Sequence, residues 1–94
     1  MSFTFLGVAV GFTVLDDASG QPMPNVLCTL YAGIGFTGEG VQGYTNSSGY
    51  VYLSNPNAGQ GSWRVTKTGY VTQGGDYPPS TLTVRLVSTT PPTP

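Results

Sequence analysis

The 94-residue chain has no histidine, a single cysteine and few charged residues. Histidine is the commonest general base and metal ligand, so its absence removes the side chain on which many catalytic and metal sites depend. Because Cys28 is the only cysteine, no disulfide can form within the chain. Its place in the alternating segment 26–30 predicts a small buried side chain, with a reactive or intermolecular thiol as the alternative.

Charged residues make up 7% of the chain, against about 25% in a typical soluble domain. The net charge of −1 offers no basic surface to a phosphate backbone, so we expect no nucleic-acid partner. So little charge also gives little repulsion between copies and favours association. A surface made of threonine, serine, glycine, asparagine, glutamine and tyrosine suits packing against other protein or against sugar hydroxyls.

The N-terminal segment is apolar but lacks the basic residues that begin a secretory signal, since the first basic residue is Arg64. Polar residues and glycines interrupt it at the spacing of a strand, so it does not resemble a membrane span. We therefore expect a chain that is made in the cytoplasm without a signal peptide and that does not insert into a membrane.

The chain contains 14 glycines and 8 prolines, and no window keeps an apolar period of about 3.6 residues. Alternation with a period of two predicts strands instead, most clearly at 8–15, 26–31 and 82–87. We predict an all-β fold with about seven short strands, as one sandwich or partly open barrel. Glycine-rich segments 32–38 and 71–79 are predicted to be loops.

The predicted sandwich domain covers residues 8–88. Residues 1–7 are predicted to form an N-terminal strand or arm, and residues 89–94 an extended proline-rich C-terminal tail. The predicted core consists of the inward-facing residues of the alternating segments: Val8, Val10, Phe12, Val14, Val26, Cys28, Leu30, Val51, Leu53, Trp63, Val65, Leu82, Val84 and Leu86.

The segment Asn46-Ser47-Ser48-Gly49 predicts a hairpin loop that ends on a glycine in the left-handed region. In that register Tyr44 lies opposite Tyr50, and Tyr52 follows on the same outward face. Three roles are open for these tyrosines: cross-strand pairing that stabilises the sheet, contact with another protein, or stacking on a sugar ring.

Several turns and alternations occur together in a recognisable order. Val14-x-Asp16, Gly20-x-Pro22-Met23 and Val26-x-Cys28 open the pattern, and Leu82-x-Val84-x-Leu86 closes it. Between them stand Thr45, Gly49-x-Val51-x-Leu53, Gly61-x-Trp63-x-Val65 and Gly69-Tyr70. This order resembles the carboxypeptidase regulatory-like domains, a family of transthyretin-like (prealbumin-like) β-sandwiches. The resemblance implies an immunoglobulin-like Greek-key sandwich without catalytic residues, which serves as an accessory module. Asn46 departs from the family, where an acidic residue often follows the threonine.

No group of residues predicts a reaction centre. Asp16 and Asp17 are neighbours in a turn, where capping of the local backbone is the simplest role, although a calcium site with Asp76 is an alternative. The serines of the chain have no histidine to activate them. We therefore predict a protein that is not an enzyme and that carries no cofactor.

We predict a structural β-sandwich that acts within a homo- or hetero-oligomeric assembly, such as a virion decoration or appendage on an extracellular assembly surface. A carbohydrate-binding module is the first alternative, and a cell-surface adhesin or pilus module is the second. The residues predicted to make contacts are the outward aromatic residues and the two ends of the chain: Phe3, Phe5, Tyr31, Tyr44, Tyr50, Tyr52, Pro91 and Pro92.

Overall fold

A computed structural model describes residues 7–56 and 60–89, and the structural statements below concern these residues. They form seven β-strands and no helix: β1 Val8–Asp16, β2 Leu27–Gly33, β3 Thr37–Tyr44, β4 Tyr50–Asn55, β5 Ser62–Thr66, β6 Gln73–Asp76 and β7 Thr81–Leu86. Accordingly, these ranges contain no helix that could span a lipid bilayer.

The strands form two sheets that pack face to face. The three-stranded sheet has the order β4-β1-β7, with β1 antiparallel to β4 and parallel to β7. The four-stranded sheet has the order β3-β2-β5-β6 and is antiparallel throughout. Read around the sandwich, β5, β2, β3 and β4 follow one another in the order of a Greek key. The predicted all-β sandwich of about seven strands is therefore confirmed.

The core lies between the two sheets and closely follows the predicted set. Ten of the predicted residues are buried: Val10, Phe12, Val14, Val26, Cys28, Leu30, Leu53, Val65, Val84 and Leu86. Val8, Val51, Trp63 and Leu82 are partly buried and pack at its margin. Met23, which precedes β2, completes the core and was absent from the predicted set. Each fully buried large apolar side chain contributes about 1.5–3 kcal/mol.

Two segments that were predicted to be loops form strands instead. β2 continues to Gly33 and β3 begins at Thr37, so the glycine-rich segment 32–38 contains a tight hairpin turn. β6 occupies Gln73–Asp76, where the sequence predicted a bend, and pairs with β5. The prediction failed because a ladder of backbone hydrogen bonds can hold a strand whose glycines give no side-chain signal.

The predicted pairing of Tyr44 with Tyr50 is wrong. The turn itself is present, because the side-chain carbonyl of Asn46 accepts hydrogen bonds from the Ser48 and Tyr50 backbone N–H groups at 2.9 and 3.1 Å. However, β3 and β4 belong to different sheets. Tyr44 pairs with Leu27 in the four-stranded sheet, and Tyr50 pairs with Thr13 in the three-stranded sheet. The chain crosses between the sheets at this turn.

Thr45 fixes the start of this crossing with its buried hydroxyl, in a residue that is 3% exposed. The hydroxyl donates to the Met23 carbonyl oxygen at 2.6 Å and accepts from the Val26 N–H at 3.0 Å. The Thr45 carbonyl accepts a hydrogen bond from the Asn25 N–H, and the Thr45 N–H donates to the Val26 carbonyl. The segment between β1 and β2 is thereby held against the end of β3.

Asn55 makes a second connection between the sheets at the opposite end of β4. Its buried side-chain amide donates to the carbonyl oxygens of Leu30 and Glu39, at 3.1 and 2.9 Å. These acceptors belong to β2 and β3, so one side chain of the three-stranded sheet satisfies two backbone groups of the other sheet. A buried polar group with full hydrogen bonding specifies one packing arrangement because any shift leaves it unsatisfied.

We predict that Gly49→Ala destabilises the fold far more than Gly20→Ala. Both glycines have a φ of 74°, so both substitutions place alanine in the left-handed region at about 1–2 kcal/mol. A Cβ atom at Gly49 would lie 2.6 Å from the Val14 carbonyl oxygen, whereas one at Gly20 meets nothing within 4 Å. We expect the difference in urea-derived unfolding free energy to be about 2 kcal/mol. Equal losses would contradict the close packing of this turn against β1.

Candidate functional site

The outer face of the three-stranded sheet is almost free of charge. Because Phe12, Val14 and Leu53 point into the core, the alternate residues point outward. We call this surface the Tyr52 face, and it consists of Ala9, Gly11, Thr13, Leu15, Tyr50, Tyr52, Ser54, Thr81, Thr83 and Arg85. Arg85 is its single charged side chain. The remainder is the mixture of tyrosine, threonine and small residues that is common at protein contacts.

The two tyrosines of this face differ in their surroundings. A Cβ atom on Gly11 would lie 2.6 Å from the Tyr50 hydroxyl oxygen and 3.2 Å from two ring carbons, so the Tyr50 ring covers this glycine. Gly11 is buried as a result. Tyr52 pairs with Gly11 across the strands, yet it remains 60% exposed, against 40% for Tyr50. Tyr50 is therefore partly structural, whereas Tyr52 is available for contact.

Tyr31 lies on the outer face of the four-stranded sheet, within an aromatic cluster that the sequence analysis missed. Its ring meets Phe36 edge to face, with the ring centres 5.8 Å apart. The Arg64 guanidinium carbon lies 4.1 Å from the centre of the Phe36 ring, which is a close cation–π contact. Tyr31 is half-buried in this cluster, so little of its surface is open to a partner.

The hairpin turn between β2 and β3 folds over the sheet to place Phe36 in this cluster. The Phe36 N–H donates to the Ser62 hydroxyl at 2.9 Å, and that hydroxyl donates to the Gly33 carbonyl at 2.7 Å. A Cβ atom on Gly74 would lie 2.9 Å from the Phe36 ring. The glycine in β6 thus leaves room for the ring, a requirement that sequence alternation cannot express.

Tyr44 borders an open groove at the other end of the same outer face. We call it the Tyr44 groove; it encloses about 460 Å³ and is lined by Asn25, Leu27, Tyr44, Thr66, Lys67 and Thr68. Tyr44 is 65% exposed, and it pairs with Leu27, which in turn pairs with Thr66. The groove thus combines parts of β2, β3 and β5. No local sequence signal predicted it, because these residues are far apart along the chain.

Asp76 does not come together with Asp16 and Asp17, so these three aspartates do not form a shared calcium site. Asp16 accepts hydrogen bonds from the Ser19 N–H and hydroxyl at 3.1 and 2.7 Å, so it caps its own turn as predicted. Asp76 lies at the opposite end of the sandwich, where its carboxylate accepts from the Gly35 N–H at 2.8 Å. Over residues 7–56 and 60–89, no three acidic or cysteine side chains come close enough together to hold a metal ion.

Cys28 is fully buried in the core, which confirms the prediction of a small buried side chain. Burial disfavours the charged thiolate and raises the pKa of Cys28 from 9.0 to about 12. Because the thiolate is the reactive form of cysteine, the folded protein holds this residue as a thiol of low reactivity.

Phe3, Phe5, Pro91 and Pro92 lie outside the described residues, and their predicted contacts stay predictions. The described part of the chain ends at Thr89, whose N–H donates to the Gly69 carbonyl at 2.9 Å.

We predict that the stability contribution of Cys28 is lost between pH 9 and about 12. The unfolded chain releases the thiol proton above pH 9, whereas the folded chain keeps it until about pH 12, so rising pH favours unfolding. The Cys28→Ser variant cannot show this loss, although a buried hydroxyl lowers its stability by about 1–3 kcal/mol at neutral pH. Chemical unfolding of both proteins should show the wild type losing stability relative to the variant by about 1.4 kcal/mol per pH unit between pH 9 and about 12. A constant difference would contradict the burial of the thiol.

We predict that Tyr50→Ala lowers the unfolding free energy by about 1–2 kcal/mol, because it uncovers Gly11 and exposes apolar sheet surface. Tyr52→Ala removes a side chain that is mostly in water, so its effect should stay within about 0.5 kcal/mol. Urea unfolding of the two single variants measures this difference. Equal effects would mean that the two tyrosines do not divide into a structural and an exposed residue.

No protein-family model matches the sequence, and no curated protein sequence matches it. The resemblance to carboxypeptidase regulatory-like domains therefore stays a prediction.

Solved structures share the fold. The Bacillus anthracis TIE protein is similar over 87% of this chain and 16% of its own, with 23% identity and a TM-score of 0.55. A streptococcal ancillary pilin is similar over 92% of this chain and 33% of its own, with 15% identity and a TM-score of 0.53. The chain thus spans a third or less of either protein. At these identities the likeness establishes a common β-sandwich fold.

Proposed function

We propose that this chain is a non-enzymatic β-sandwich module that packs against further copies of itself in a surface or pilus-type protein assembly. The observation that carries the proposal is the Tyr52 face. This sheet surface is nearly uncharged and presents the exposed Tyr52 beside Tyr50, whose ring covers Gly11. The fold is shared with a protein described as an ancillary pilin, which supports an assembly of this type. The sequence favours a virion surface as the specific setting of such an assembly.

The composition of the Tyr52 face suits a contact between identical copies. A net charge of −1 gives little repulsion between copies, and Arg85 is the single charge on this face. Tyr52 supplies a large apolar ring with a polar tip, and interface residues of this kind account for much of the binding energy of protein contacts. Contact of the same face on two copies would remove this ring from water on each side.

The size of the face predicts weak association. Three strands spaced about 4.8 Å apart, with about six paired residues each, cover about 300 Å². A stable protein interface buries about 800 Å² on each partner, so this contact alone gives a weak complex. We therefore expect assembly at high local concentration, as on a surface where many copies stand side by side, and a dissociation constant of about 0.1 mM in dilute solution.

The chemistry of the described residues offers no reaction centre to this module. The carboxylates of Asp16 and Asp76 accept hydrogen bonds from nearby backbone or hydroxyl groups. Cys28 is a buried thiol whose pKa of about 12 makes it a poor nucleophile. Binding and packing are therefore the functions that these residues support.

We predict that Tyr52→Ala weakens self-association about tenfold, because it removes the more exposed of the two aromatic rings on the Tyr52 face. Tyr44→Ala is the matched control, since it deletes a ring of similar exposure from the outer face of the other sheet. Sedimentation equilibrium of wild-type protein and both variants, at up to about 1 mM, measures the dissociation constants.

Two results would overturn this proposal. One is a wild-type protein that stays monomeric over the whole concentration range. The other is a loss of association that is equal in the Tyr52 and Tyr44 variants, because the contact would then not lie on the Tyr52 face.

A further inference from the structure

The Tyr44 groove has the chemical features of a binding site, and they are independent of the Tyr52 face. Its floor is the half-buried Leu27, and one side is the exposed Tyr44 ring. Amide and hydroxyl groups are contributed by Asn25, Thr66 and Thr68. The side chains of these residues make no hydrogen bond to another described residue. An exposed aromatic ring in a groove that also offers amide and hydroxyl groups matches a sugar ring, which presents C–H groups on its face and hydroxyls at its edge.

The groove is held in place by the crossing between the sheets. The Asn25 N–H donates to the Thr45 carbonyl at 2.9 Å, and Thr45 directly follows Tyr44. Asn25 has a φ of 60°, a left-handed conformation that asparagine tolerates better than most residues. Asn25 and Tyr44, which both line the groove, are thus held next to the same buried threonine. A rigid site loses little conformational entropy when a ligand binds.

The charge at the groove is positive. The Lys67 ammonium donates to the Asn25 carbonyl at 3.3 Å, which places it beside the groove, and it has no carboxylate partner among the described residues. Arg64 lies on the same outer face, two residues before Thr66 along β5. Arg64 stacks on Phe36 at the other end of the face, where Asp76 also lies, so Lys67 is the charged residue at the groove itself. The groove itself has no acidic lining residue.

These features favour a glycan over a second protein. Lysine is depleted at the centres of protein interfaces, because burying its ammonium without a partner costs more than the contact gains. An ammonium that has no carboxylate partner among the described residues, and that lies beside hydroxyl and amide groups, instead suits a ligand that carries both carboxylates and hydroxyls. The volume of about 460 Å³ is sufficient for one or two sugar rings in an open site.

We propose that the Tyr44 groove binds an acidic polysaccharide, one built from uronic acid units. One sugar ring stacks on Tyr44, its hydroxyls bond to Asn25, Thr66 and Thr68, and its carboxylate pairs with the Lys67 ammonium. This inference does not depend on self-assembly, because the groove and the Tyr52 face belong to different sheets.

The test uses the full chain and short oligomers of polygalacturonic acid. The same oligomers after methyl esterification are the matched ligand, because esterification removes the carboxylate charge and keeps the sugar rings. Titration calorimetry measures affinity, and amide chemical shifts of the labelled protein locate the site. We expect millimolar or tighter binding of the acid form, weaker by about tenfold after esterification and reduced by added salt.

The variants separate the groove from the other face. Tyr44→Ala removes the stacking ring and Lys67→Met removes the charge, so we expect about tenfold weaker binding of the acid oligomer in each. Lys67→Met should also abolish the preference for the acid over the ester. Tyr52→Ala is the control and should bind as the wild type does.

Four outcomes would overturn the inference. Three concern affinity: absence of binding at an oligomer concentration of about 10 mM, equal binding of acid and ester, and unchanged binding in Tyr44→Ala. Shifted amides must include Leu27 and Thr66 to Thr68; shifts confined to the Tyr52 face would equally contradict it. Failure of self-association leaves these results unchanged, so the two proposals fail separately.

Discussion

The crossing of the chain between Tyr44 and Tyr50 is the constraint on which the arrangement of surfaces depends. It is held by the Thr45 hydroxyl, which bonds to the Met23 carbonyl and the Val26 N–H in the buried interior. Without the crossing, β3 and β4 would form a simple hairpin in one sheet. With it, consecutive strands lie in opposite sheets, and their outward side chains face in opposite directions.

The two outer faces therefore differ in chemistry although their tyrosines are close in sequence. Tyr52 lies on a face with one charged residue, which suits contact with a like surface. Tyr44 lies at a groove lined by hydroxyl and amide groups and by the Lys67 ammonium, which suits a polar ligand. Under the two proposals, one small sandwich attaches to neighbours through one sheet and binds a second partner through the other, and both sheets pack on the same core.

Much of the fold was predictable because inward positions recur every second residue. The strands around Val10, Cys28 and Val84 follow from this alternation, and so does the burial of the Cys28 thiol. Strand pairing was less predictable. The turn at Asn46 has the same chemistry whether the flanking strands pair or separate, so the sequence favoured a hairpin where the structure has a crossing.

The missed elements depend on contacts between distant residues. Gly74 and Gly75 of β6 have no side chains and so give no alternating pattern that would predict a strand. Their reason for being glycine lies elsewhere in the chain, because Gly74 pairs with β5 and leaves room for the Phe36 ring. The Tyr44 groove similarly combines residues from three strands, so the sequence predicted a contact role for the outward Tyr44 but gave no signal for Lys67 and Asn25. Local patterns indicate which side chains point outward, and the topology decides which of them meet.

The distance between residues 44 and 52 tests the crossing most directly. Spin labels on the Tyr44→Cys/Tyr52→Cys variant can be placed without removing Cys28, because that buried thiol should not react in the folded protein. The two sheets pack about 10 Å apart, and a label on each residue extends outward from its sheet. The crossing therefore predicts a label separation of more than about 20 Å by pulsed electron spin resonance. Side chains in a hairpin register would be near neighbours, with Cβ atoms about 7–8 Å apart. Such a short distance would contradict the crossing and, with it, the assignment of the two tyrosines to separate surfaces.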